Sequence, residues 1–147
     1  MATPVPDGLV RVAFDVAAAV GPVAARHNLS LTQLRVLGIL RDRTVRMSEL
    51  AEYLGLDRST VTGLVDRAEA RGLVERVRDG SDRRVAVVGL TAKAREMQTT
   101  LEREVEAAVG ELVVDLTRAQ GDALENLLGS VGRVPLASLG ATNRRSS

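Results

Sequence analysis

Gly55-Leu56-Asp57 separates two short helical patterns, and that punctuation leaves few folds open. Ser48 to Leu54 is amphipathic, and Gly55 stands where such a helix stops, because glycine adopts the left-handed conformation of a helix end without steric cost. Asp57 occupies the N-cap of the next helix, its carboxylate placed to accept from the backbone N–H of Ser59 or Thr60. From Arg58 to about Arg71, Val61, Leu64, Val65 and Ala68 recur at i, i+3, i+4 and i+7, one face of a helix. Arg58, Ser59, Thr60, Thr62, Asp66 and Arg67 lie on the opposite face. Two helices joined by a short glycine-containing turn form a helix-turn-helix, whose second helix lies in a DNA major groove.

The next segment changes period from helix to strand. Gly72 ends the helix, Leu73 to Arg78 alternates apolar with charged residues, and Val85 to Leu90 is rich in β-branched side chains. Between them, Asp79 to Arg84 forms a charged turn. A hairpin directly after a helix-turn-helix makes a winged helix. Arginines at a hairpin tip suit a narrow minor groove, where negative potential is enhanced. Arg83 and Arg84 are both candidates for that insertion. If they continue a strand, their side chains point to opposite faces and only one enters.

Over this stretch the chain resembles the MarR family of bacterial transcription regulators. The Gly72-Leu73-Val74 step, the Asp82-Arg83-Arg84 wing and the Leu90-Thr91 exit into a long helix carry the resemblance. It implies a two-fold homodimer, triangular in outline, that binds a palindromic operator in double-stranded DNA as a repressor released by a small lipophilic or anionic ligand. By family position, Arg58, Ser59, Thr60 and Thr62 are the expected DNA contacts, with Arg67 set against phosphate or against Glu69 or Asp66. Two positions depart from the family pattern. Gly63 stands where a long polar residue is common, and Gly80 stands where proline usually follows the first aspartate of the wing. Asp82 is expected to orient a wing arginine, with Arg76 as a candidate partner. Ligands of the family lie between the dimer layer and the winged domain. With one Phe, one Tyr and no Trp in the chain, the pocket expected here is aliphatic, drawn from Phe14, Val16, His27, Leu37 and Arg41.

The flanks read as helices. Pro4 and Pro6 suggest a non-helical lead-in, with Asp7 capping a helix to about Arg26 that is apolar nearly all round. Such a helix is buried on several sides, and Gly21-Pro22 should kink it. Thr32 is the candidate cap of the next helix, Leu31 packing on Val36 as a staple, and Val45-Arg46 a candidate short strand. After Thr91 an apolar stripe (Met97, Leu101, Val105, Ala108) runs on to Leu116, a rod of about 40 Å if unbroken, with Gly110 the place for a bend. Ala119 or Gln120 opens a last helix containing Leu124, Leu127, Leu128 and Val131, and Leu136 and Leu139 remain able to pack. The expected fold is therefore mainly α. Residues 1–30 form a dimerisation helix, 31–90 a winged helix-turn-helix with a small β-hairpin wing, 91–139 further dimerisation helices, and 140–147 a frayed tail.

Composition narrows the alternatives. A length of 147 residues suits one domain with a sizeable core. Net charge is only +1, but arginines crowd residues 41–84 while carboxylates dominate later, and a local basic face still binds phosphate. The absence of cysteine excludes disulfides, thiol redox sensing and Cys-based zinc sites. No metal, cofactor or catalysis is expected, since His27 is the only histidine and has no organised neighbours in sequence. No signal peptide and no apolar run near the ~18 residues of a membrane span are apparent, so a cytoplasmic location is expected. The rival reading is a winged helix that binds protein and has lost DNA. An arginine-bearing wing beside a hydroxyl-rich helix start favours DNA.

Overall fold

The computed structural model of the chain describes residues 4–132. Leu136, Leu139 and the tail beyond Gly140 lie outside them. The elements run α1 (Pro4–Arg26), α2 (Leu31–Leu40), β1 (Val45–Arg46), α3 (Met47–Leu54), α4 (Arg58–Ala70), β2 (Val74–Arg78), β3 (Ala86–Leu90), α5 (Ala92–Gly110), a single 3-10 turn (Glu111–Val113) and α6 (Arg118–Leu128). They fall into two compact units, Met1–Leu112 and Val113–Ser147.

In the first unit, α1 packs along α5, while α2, α3 and α4 close on a three-stranded antiparallel sheet of order β1-β3-β2. The short strand expected at Val45-Arg46 exists and pairs Val45 with Val88 and Arg46 with Val87. The wing register runs from Val74 opposite Leu90 to Arg78 opposite Ala86. Leu37, Leu40, Leu50, Val61, Val65, Val88 and Leu101 are all but inaccessible, and Val23 and Ala24 join them from α1. Each such side chain contributes about 1.5–3 kcal/mol through burial. Gly89 is needed in β3 because an added Cβ would stand 2.9 Å from Thr44 Cγ2.

Several local expectations are corrected. Helix α1 begins at Pro4 and includes both early prolines. In a first turn the missing N–H has no intrahelical partner to lose. Pro22, the expected place of a kink, lies inside the helix, which runs to Arg26. Within the first unit it is not buried on several sides: Val5, Val10 and Phe14 are 71%, 55% and 72% exposed. It is, moreover, long and apolar enough to cross a membrane by length and composition, with an 18-residue window of mean hydropathy 1.6. Arg11 and Asp15 interrupt the apolar run in sequence, but on the helix they form one i,i+4 pair at 3.6 Å. The cap of α2 is Ser30, not Thr32. Ser30 Oγ accepts from Gln33 N–H at 3.0 Å, and the Gln33 side chain accepts from Ser30 N–H at 2.9 Å, a reciprocal capping box. Helix α5 ends at Gly110, where the 3-10 turn follows.

In the second unit, Thr117 caps α6, two residues ahead of the expected start, again with a capping box through Gln120. Val131 lies beyond the helix end. Leu127 and Leu128 are 65% and 56% exposed.

Candidate nucleic-acid interface

Helix α4 starts on Asp57, which accepts three hydrogen bonds. Ser59 Oγ donates at 2.7 Å, Thr60 N–H at 2.8 Å and Thr60 Oγ1 at 2.8 Å. The Ser59 hydroxyl, then the backbone and side chain of Thr60, hold the Asp57 carboxyl down to about 2. Thr62 Oγ1 donates to the Arg58 carbonyl at 2.9 Å. The hydroxyls expected to meet DNA are all exposed, yet their protons are engaged within α4. What they present outward is lone pairs, which can accept a hydrogen bond but not donate one to phosphate. Arg58 is exposed and makes no ion pair among the described residues. Arg67 folds back over Gly63, whose added Cβ would lie 3.3 Å from Arg67 Nη1. A side chain at position 63 would meet that guanidinium, so glycine leaves Arg67 its path across the exposed face.

The wing is fastened to this helix by Arg76. Its Nη2 donates to Asp66 Oδ1 at 2.6 Å and its Nη1 to Glu69 Oε2 at 3.0 Å, and the guanidinium pKa rises chiefly through the Asp66 hydrogen bond. Arg76 is thus not the partner of Asp82. Side chains in β2 reach α4 across the fold, whereas Asp82 lies at the far end of the hairpin. Asp82 does orient a wing arginine: its Oδ1 accepts from Arg84 N–H at 3.0 Å and from Arg84 Nε at 3.4 Å. Arg83 makes no side-chain hydrogen bond or ion pair among the described residues. Both arginines sit in a turn that precedes β3, so the strand alternation expected to separate their faces does not operate. Where β2 enters the wing turn, Asp79 accepts from Ser81 and meets Arg46 Nη2 at 3.6 Å. Its pKa is lowered first by the Ser81 backbone N–H.

The far end of α4 is tied to the flanking helices. Arg71 Nη1 donates to the Asn28 carbonyl at 2.6 Å, just after α1, where Asn28 takes the left-handed conformation (φ 55°). Thr91 caps α5 and donates its hydroxyl to the Gly72 carbonyl at 2.6 Å. Neither tie was foreseen, since each joins residues distant in sequence.

A capped helix, an arginine-tipped hairpin and a brace between them match a known group. The MarR family model matches residues 27–85. The regulator YcgE of Bacillus subtilis is 34% identical over 115 residues, 75% of this chain and 71% of YcgE. The chain belongs to the MarR family of transcription regulators. A second Bacillus subtilis regulator, YfiV, is 39% identical over 71 residues, 48% of this chain and less than half, 44%, of YfiV. Among solved structures, CouR of Rhodococcus jostii RHA1 bound to p-coumaroyl-CoA is similar at TM-score 0.77 and 29% identity, covering 87% of this chain and 91% of CouR. A mutant of E. coli MarR complexed with operator DNA is similar at TM-score 0.72 and 25% identity, covering 87% and 93%.

This MarR-family chain also has a cleft of about 520 Å³ between α2 and α5. Leu34, Leu101, Val105 and Val109 supply its apolar wall. Arg41, Gln98, Glu102 and Glu106 supply its polar groups. Of the ligand residues expected from sequence, Arg41 alone lines it. Leu37 is buried in the core at 1% exposure, Phe14 is 72% exposed, and Val16 is half-buried on α1. His27 Nε2 is hydrogen-bonded to Glu104 Oε2 at 2.9 Å, which lowers the Glu104 pKa. The α5 residues do not read as a ligand site because a long apolar stripe reads as a packing element and the Glu102–Glu106 carboxylate pair, one turn apart, as a solvated face. The i,i+4 spacing of Gln98, Glu102 and Glu106 was the available signal.

Proposed function

We propose that the protein is a homodimeric transcription regulator that binds double-stranded DNA through α4 and the wing turn and responds to a small ligand as a repressor released on binding. One observation carries this reading. Arg83, without an ion pair among the described residues, stands at the tip of a hairpin that Arg76 ties to an N-capped, hydroxyl-bearing helix. That arrangement presents hydroxyl acceptors and an exposed cation from elements joined by the Arg76 guanidinium. The solved relative on operator DNA supports the DNA partner, and the relative carrying p-coumaroyl-CoA supports a small-molecule response.

Exposed apolar side chains on α1 (Val5, Val10, Phe14) and, separately, on α6 (Leu127, Leu128) support a second copy of the chain as the covering partner. The three-part division at residues 30, 90 and 139 fits this reading, with both chain ends serving assembly. Two recognition helices related by a two-fold axis call for a palindromic operator with half-sites about 10 bp apart or a multiple of it. MarR-family regulators act by binding, and this reading includes no catalysis, metal or cofactor, in a cytoplasmic protein. The test is selection of binding sites from random duplex followed by footprinting, with light scattering for mass. Paired half-sites and twice the chain mass support the proposal. A soluble monomer without duplex affinity at low salt would instead favour the protein-interaction module.

A further inference from the structure

We infer that the cleft between α2 and α5 takes a small organic cation: an ammonium on an apolar body, with a hydrogen-bond donor at its far end. This deepens the ligand-responsive reading above and rests on it.

Charge comes first. The polar lining holds one cation, Arg41, against two carboxylates, Glu102 and Glu106. Arg41 is already engaged, with Nε donating to Asp42 Oδ2 at 2.8 Å and Nη1 to Glu102 Oε1 at 3.4 Å. The one guanidinium in the lining thus already faces two carboxylates. Glu106 has no ion-pair partner among the described residues. An organic anion entering here would face unpaired negative charge, whereas an ammonium would be drawn to the Glu102–Glu106 turn.

The second observation is independent of charge. Gln98 is 8% exposed, and its Oε1 has no hydrogen-bond partner. Its Nε2 donates to Glu102 Oε1 at 3.2 Å, which fixes the amide orientation and leaves Oε1 as an unmet acceptor. A buried acceptor without a donor is costly; Oε1 is closed off in this structure, so a ligand N–H or O–H meets it once the Gln98 amide turns toward the cleft that its side chain lines. Glu102 lies one helical turn from both Gln98 and Glu106, so the acceptor and the unpaired carboxylate stand along one side of α5. The apolar wall between α2 and α5 accommodates the body of the molecule. Gly38 on α2 keeps the floor open, with nothing within 4 Å of where a Cβ would stand.

Tyramine and 4-hydroxyphenylacetate form a matched pair of probes: the same phenol, with an ammonium in one and a carboxylate in the other. Titration calorimetry of the full chain should show tyramine binding at least about tenfold tighter than 4-hydroxyphenylacetate. Glu106→Gln, at an exposed position, should weaken tyramine by about tenfold and tighten the acid, since a like charge is removed. Gln98→Leu should weaken tyramine but not phenethylamine, which lacks the phenol hydroxyl. Thermal melts confirm that both variants fold, and the Glu106 comparison stands if the Gln98 variant does not. Equal or tighter binding of the acid, no binding of tyramine, or an unchanged ratio in Glu106→Gln overturns the inference. If tyramine binds in this way without altering operator affinity, the site stands and the ligand-response reading falls. If operator affinity answers only to the acid, the reverse holds.

Discussion

Arg76 Nη2 lies 2.6 Å from Asp66 Oδ1, joining the first strand of the wing to the exposed face of the recognition helix. With Glu69 on the same guanidinium at 3.0 Å, Arg76 bridges the hairpin to two turns of α4. This brace has a consequence that separates it from DNA contact. Arg76→Ala should lower stability by no more than about 1 kcal/mol, because the pair is partly solvated. It should weaken operator binding by loosening the wing, without changing the slope of log K against log salt. Thermal melts and a salt series on that variant check both parts. A reduced slope would mean that Arg76 itself meets phosphate.

Asp57 makes acid stability depend on the start of α4. Its folded pKa, about 2, lies below the ordinary value of 3.8. A depressed carboxyl contributes stability that is fully present above the unfolded value and is lost as pH falls through the folded one. Urea midpoints between pH 5 and pH 2, taken in roughly half-unit steps, should fall through this window in the wild type and less steeply in Asp57→Asn. Parallel curves would contradict the cap's role.

Gly89→Ala should destabilise by about 1–2 kcal/mol, since the new methyl would overpack against Thr44 Cγ2. Adding Thr44→Ser removes that methyl and should recover part of the loss, a non-additivity expected only of neighbours. Equal losses in the single and double variants would place the strain elsewhere.

Gly63→Ala should act in the opposite direction on stability. The added methyl would meet only the flexible end of Arg67, so the gain in helix propensity, up to about 1 kcal/mol, should appear in thermal melts. Operator affinity should change as well, because Arg67 is displaced from its path over the helix. Unchanged affinity would mean that Arg67 does not act at the groove.

Much of this arrangement was legible because helix caps and turns are local chemistry. Gly55 takes the left-handed conformation open to a residue without a side chain, Asp57 caps α4, and β2 and β3 form on either side of the charged turn. The α2 cap was misplaced between two hydroxyls, although Gln33 three residues after Ser30 marks the true one. The early prolines read as breakers because their tolerance in a first turn depends on where the helix begins. What sequence could not place were contacts across elements. Arg76 reaches Asp66 and Glu69 rather than Asp82, Arg71 reaches Asn28, and Gln98 and Glu106 share a cleft with α2. Periodicity assigns a residue to a face but does not say which other element that face will meet.

The wing arginines and α4 are proposed to hold duplex DNA together. The direct measurement is the affinity of wild type and of the Arg83→Ala/Arg84→Ala double variant for operator and random duplex across a salt series. Each phosphate neutralised releases close to one counterion, so the double variant should bind both DNAs more weakly and lower the salt slope by about 1 to 2 per half-site. Arg83→Ala alone should account for more of the loss, since Arg84 is partly held by Asp82 at 3.4 Å. Wild-type affinity and slope in the double variant, on both DNAs, would contradict the account.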